Sequence, residues 1–97
     1  MPKLTDVQNT ILKAFFDLQM TDEGYFNDDE TPLMLYSRLE EKTGIKKAYL
    51  QIEVRELRNM GILWLAQAVD QDYVPSGSGW CLTDPKGVDI VRELFFT

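Results

Sequence analysis

The chain contains no histidine and a single cysteine, Cys81, among 97 residues. Without histidine, the commonest general base, the commonest metal ligand and every nucleophile that depends on an imidazole partner are missing. One thiol forms no internal disulfide, so stability must come from an apolar core. Cations are also scarce: 10 Lys and Arg stand against 16 Asp and Glu, for a formal charge of −6 and a pI of ≈ 4.5. No apolar run is long enough to span a bilayer, and the opening MPKLTDVQ has no apolar stretch after its lysine. A cytoplasmic location without a membrane partner is therefore the expectation. Paired catalytic carboxylates, a phosphate-cradling glycine loop ahead of a helix and a metal-ligand cluster are all missing from the sequence pattern. No enzymatic activity, cofactor or metal is expected. The run Asp22, Glu23, Asp28, Asp29 and Glu30 lacks the ligand spacing of a calcium loop and reads as a solvated acidic loop.

A hydrophobic fraction of 44% is ordinary for a globular chain, and the length fits one domain, 1–97, with a small core. Thr5-Asp6-Val7-Gln8 has the form of a capping box, and apolar residues at helical spacing from Val7 to Leu18 predict helix 1 over about 6–19. Thr31-Pro32 suits a helix start, Leu35, Tyr36 and Leu39 continue an apolar stripe, and Gly44 suits a C-cap, so helix 2 is expected over about 32–43. Helix 3 is expected from Lys46 or Lys47 to just before Gly61, burying Leu50, Val54 and Leu57. Residues 62–83 read as a β-hairpin, with Pro75 to Gly79 as a flexible turn, Trp80 to Thr83 as the second strand, and Trp64 facing Trp80 across it. Asp84-Pro85 opens a last helix over about 85–96. Tyr25-Phe26 is expected to form at most a very short strand.

The stretch TGIKKAYLQIEVRELRNMGIL, residues 43–63, is the most informative. Gly44 follows Leu39 by five residues and precedes Leu50 by six; Val54, Leu57 and Gly61 then follow at steps of four, three and four, with Ile62 next. Downstream, Leu82-Thr83-Asp84-Pro85-Lys86-Gly87 has the form of a strand end turning into a helix, one residue longer than a Leu-Thr-x-x-Gly pattern. In these spacings the chain, over roughly residues 31–97, resembles the winged helix-turn-helix domains of MarR- and PadR-type bacterial regulators. The resemblance implies an α+β, mostly α fold of three helices, a β-hairpin wing and a C-terminal helix. It further implies a transcriptional regulator that reads double-stranded DNA with its third helix and acts as a homodimer.

The residues themselves carry that reading part of the way. A helix that buries Leu50, Val54 and Leu57 exposes Lys46, Lys47, Tyr49, Gln51, Ile52, Arg55 and Arg58. Lys46, Lys47, Tyr49, Gln51 and Arg55 are the candidate DNA-contacting residues, with Lys42 and Arg58 as backbone contacts. Residues 33–60 carry net +2, whereas residues 1–32 carry −5 and 61–97 carry −3. Glu53 and Glu56 lie on or beside the cationic face, and the hairpin tip QDYVPSGSG has no Lys or Arg. The alternative is a winged-helix module of phage or plasmid type that binds a protein partner, not DNA, through the acidic loop or the aromatic helix ends. Those ends, Phe15, Phe16, Leu94, Phe95 and Phe96, are the candidate dimer or partner surface, because adjacent aromatics on a helix point about 100° apart and cannot share one face. Completion of a small core by the same residues is the competing expectation.

Overall fold

The computed structural model describes residues 3–20, 34–69 and 75–96. Over these the chain is α+β and mostly helical. The order is α1 (Asp6–Gln19), α2 (Tyr36–Thr43), α3 (Lys47–Asn59), β1 (Leu63–Val69), β2 (Pro75–Leu82) and α4 (Lys86–Phe95). The acidic run, Tyr25-Phe26, Thr31-Pro32 and the hairpin tip at 70–74 lie outside the described residues.

Helix α1 begins where its capping box places it. The Thr5 hydroxyl accepts from the Gln8 amide at 3.1 Å, and the Gln8 side chain accepts from the Thr5 amide at 3.0 Å. Its buried side, Ile11, Leu12, Ala14 and Phe15, forms one cluster with Leu39 of α2, Leu50, Val54 and Leu57 of α3, and Val88, Ile90 and Val91 of α4. Leu63, Trp80 and Leu82 extend that cluster onto the sheet.

Helix α2 is shorter than expected: it starts at Tyr36, not near residue 32. The cause is a competing backbone pairing. Met34 donates to the Trp80 carbonyl at 3.0 Å and accepts from the Trp80 amide at 3.1 Å. Both its main-chain groups are thereby spent on β2, and the backbone there is extended instead of helical. This bridge fastens the start of α2 to the hairpin.

The link between α2 and α3 is built by two residues. Gly44 takes the left-handed conformation at φ 73 and donates to the Glu40 carbonyl at 2.8 Å. The Thr43 hydroxyl donates to the Leu39 carbonyl at 2.6 Å and accepts from the Ile45 amide at 3.2 Å. The Leu39 and Glu40 carbonyls are engaged in this way, and α3 starts at Lys47.

The hairpin departs from expectation in two respects. First, Pro75 to Gly79 belong to β2, with Val69 opposite Pro75, Ala68 opposite Gly77 and an irregularity between them. Glycine and serine weaken a strand's own preference, but the ladder to β1 overrides it. Second, Trp64 does not face Trp80. Trp64 pairs with Cys81, and Trp80 pairs with Leu65. Trp80 is 6% exposed, bridged to Met34 and with its ring 6.5 Å from that of Tyr36, whereas Trp64, opposite the buried Cys81, is 49% exposed.

The exit from the hairpin is held by Thr83. Its amide donates to the Ile62 carbonyl at 2.9 Å, and its hydroxyl lies 2.5 Å from the Gly61 carbonyl and 2.8 Å from the Gly87 amide. No helix among the described residues is long and apolar enough to cross a membrane.

Candidate functional site: the outward face of helix α3

Leu50, Val54 and Leu57 are fully buried, each 0% exposed, which fixes the rotation of α3 on the core. With neighbours about 100° apart, the opposite line of the helix is Ala48, Ile52, Arg55 and Asn59. All four are exposed, and so are Lys46, Lys47, Tyr49 and Arg58; Gln51 is half-buried. Tyr49 is 64% exposed and Ile52 60% exposed. Lys47, Gln51 and Arg55 follow one another at i, i+4 and so form a ridge, with Arg58 continuing it. From Lys47 to Arg58 the ridge runs about 16 Å along the helix axis.

Six of the seven expected residues are thus gathered on one helix. The seventh, Lys42, is not with them. It sits in the last turn of α2 and lines grooves with Asn9, Lys13 and Leu18 of α1. Lys47 also leans back, its Nζ 5.7 Å from the centre of the Tyr36 ring at the start of α2. Lys46, Arg55 and Arg58 form no ion pair with any described residue.

The two carboxylates near this face differ in placement. Glu53 is half-buried and turned toward the start of α1, where the Thr5 hydroxyl donates to it at 3.5 Å. It pairs with none of its helical neighbours among the described residues. Glu56 is exposed. The cationic ridge and Glu53 therefore lie on opposite flanks of the outward line.

The start of α3 has an uncompensated field. A helix N-terminus carries the positive end of the macrodipole and four amides without helical partners. Here no side chain caps them, no acidic residue lies in the first turn, and Lys46 and Lys47 stand at that very end. Like charge on a dipole end costs a few tenths of a kcal/mol or more. The contact of Lys47 with the Tyr36 ring offsets part of this, and an anion placed there would offset more.

The aromatic helix ends resolve into two populations. Phe15 is fully buried in the core and provides no surface, which corrects its assignment to a dimer or partner face. Phe16, Leu94, Phe95 and Phe96 are half-buried. The Phe16 ring lies 5.5 Å from that of Phe95 and 5.2 Å, edge-on, from that of Phe96. Lys13 covers them, its Nζ 4.6 Å from the Phe16 ring and 5.4 Å from the Phe95 ring, while reaching Asp17 at 3.3 Å. Much of this aromatic surface is therefore consumed in joining α1 to α4.

Two features were poorly legible beforehand. Ala48 and Asn59 belong to the outward line but are small or uncharged, and nothing in their chemistry marks them. Trp64 and Leu65, 49% and 48% exposed, are consecutive strand residues, and strand alternation does not mark both as outward. Cys81 is buried, with the Gln19 amide 4.0 Å from its sulfur. Among the described residues, no group of three or more Cys, Asp or Glu is placed to hold a metal ion.

No protein-family model, curated protein or solved structure matches this chain.

Proposed function

We propose that the chain is a small winged helix-turn-helix protein that binds duplex DNA with the outward face of α3 and acts as a transcriptional regulator. One observation carries the proposal: two lysines stand on the uncapped, acid-free N-terminus of α3, and Arg55 and Arg58 extend the positive face along it. Charge arranged against the stability of the helix suits a polyanion. The supporting geometry is the order of the elements, the left-handed glycine between α2 and α3, and the fully buried Leu50-Val54-Leu57 seam that turns the cations outward. Glu53, drawn toward α1, opposes phosphate contact less than its place in the sequence implies.

In this reading Lys46 and Lys47 contact phosphates, Arg55 and Gln51 reach base edges, Tyr49 donates to the backbone and Arg58 supports it. Lys42 is too far round on α2 to share the base contacts and at most touches a flanking phosphate. Four cations on one helix give modest affinity at physiological salt, so a homodimer that doubles them is part of the proposal. The half-buried Phe16, Phe95 and Phe96 provide its contact surface.

The test is binding to random duplex DNA across a salt series, for the wild type and for Lys46→Glu/Lys47→Glu. The expected result is wild-type binding at low salt, with log K falling linearly in log salt, and loss of binding in the variant. Absence of wild-type binding at low salt would overturn it. The competing function is a protein-interaction module, favoured by the exposed Trp64 and Leu65 on a hairpin that carries no cation between Arg58 and Lys86.

A further inference from the structure

The centre of the outward line of α3 is apolar, not charged. Ile52 is 60% exposed, Ala48 lies one turn before it and is exposed, and Tyr49 beside them is 64% exposed. Lys47, Gln51, Arg55 and Arg58 run along one side of this small apolar strip, with Lys46 at its start, and the exposed Glu56 lies one turn after Ile52 on the other side. An exposed isoleucine contributes nothing to the core, and its branched side chain lowers helix propensity slightly compared with leucine or lysine. A cationic ridge along one side of an apolar strip fits a partner that presents anionic groups beside one apolar point. The major groove of duplex DNA has that form: phosphates line its walls, and the 5-methyl group of thymine is the one apolar group on its floor.

Resting on the reading of α3 as a DNA-binding helix, we infer that Ile52, with Ala48 a turn before it, is a specificity-determining contact to the thymine methyl group. Arg55, the next residue along the same line, then falls on the neighbouring base pair, where its guanidinium suits guanine N7 and O6. The preferred site accordingly contains a thymine beside a guanine. The requirement for the methyl group comes from Ile52, not from the cations.

The test begins with selection of sites by the wild type from a randomised duplex pool at low salt. Each thymine of the selected duplex is then replaced in turn by deoxyuridine, which removes the methyl and leaves every hydrogen-bonding group in place. Burying one methyl corresponds to about a fourfold change in affinity. The expected result is a loss of that size at one or two thymines for the wild type, retained in Ile52→Val and erased in Ile52→Ser. Three results overturn the inference and leave DNA binding standing: a selected site without thymine, indifference of the wild type to deoxyuridine, or a penalty that persists undiminished in Ile52→Ser. Failure of the wild type to bind any duplex at low salt overturns the DNA reading and this inference together. Circular dichroism of Ile52→Ser confirms that the comparison is between folded proteins.

Discussion

The Thr83 hydroxyl sits 2.8 Å from the amide of Gly87, and a Cβ built on Gly87 would lie 2.2 Å from the Ile62 carbonyl oxygen. These two residues lock the start of α4 against the end of α3 and leave no room between them. Gly87→Ala must push apart two backbone segments, since the obstructing atom belongs to the main chain. A loss of about 2–4 kcal/mol is expected, in the range of severe overpacking. Thr83→Val keeps the shape but strands the Gly87 amide, and should cost about 1–3 kcal/mol. Urea denaturation of both variants checks the order, with Gly87→Ala the more damaged.

Gly44 offers the opposite case. No atom lies within 4 Å of a Cβ placed there, yet its φ is 73. The penalty for Gly44→Ala is then backbone strain alone, about 1–2 kcal/mol. Gly44→Asn should recover part of it, because asparagine tolerates the left-handed region better than alanine. Thermal melts of the pair separate this strain from the steric clash at Gly87.

The success of the sequence at α1 and α3, and its failure at α2 and the sheet, have a common physical basis. The limits of α1 depend on a capping box written in four consecutive residues, and α3 on a seam with local helical spacing. Both are short-range signals. The start of α2 depends on Met34 meeting Trp80, 46 positions away, and no local pattern records such a pairing. The Trp64 error is similar. A hairpin is legible from composition, but its register is set by the whole ladder, and the burial of Trp80 by the distant Met34 and Tyr36 that meet it. On the site, charge and seam together placed six of seven residues on α3. Lys42, expected on helix 2 as a backbone contact, lies in the last turn of α2, and its neighbours there are decided by the α1–α2 packing.

Burial pushes the Cys81 thiol above its ordinary value, and the hydrogen bond from the Gln19 side chain offsets part of that rise. The native state therefore keeps a proton that the unfolded chain releases once pH exceeds about 9.0. The unfolded state then binds fewer protons than the native one, so this contribution is present below that pH and is lost as pH rises. The stability advantage of wild type over Cys81→Ala should accordingly shrink between pH 8 and pH 10 in chemical denaturation. At neutral pH a thiol-reactive disulfide reagent should label the unfolded chain rapidly and the folded one slowly. Equal labelling rates would show that the sulfur is accessible.

Lys13 and Arg55 are both exposed cations, but they should fail in different assays. Lys13 is engaged: it reaches Asp17 at 3.3 Å and stands over the Phe16 and Phe95 rings. Arg55 has no ion partner among the described residues and lies on the outward line of α3. Lys13→Ala should lower stability by about 0.5–1 kcal/mol, the scale of an exposed cation–π contact joined to a surface ion pair. It should leave DNA affinity and its salt dependence unchanged. Arg55→Ala should leave the melting temperature within error, since a surface change away from any packing contact is close to neutral. If the arginine neutralises a phosphate, the slope of log K against log salt falls by about 0.9. If it reads a base instead, the slope is kept and affinity drops by about 1–3 kcal/mol at the cognate base pair only. Salt titrations of both variants on one duplex distinguish these outcomes. A Lys13→Ala protein that lost DNA binding while remaining folded would move the nucleic-acid surface from α3 to the α1–α2 grooves.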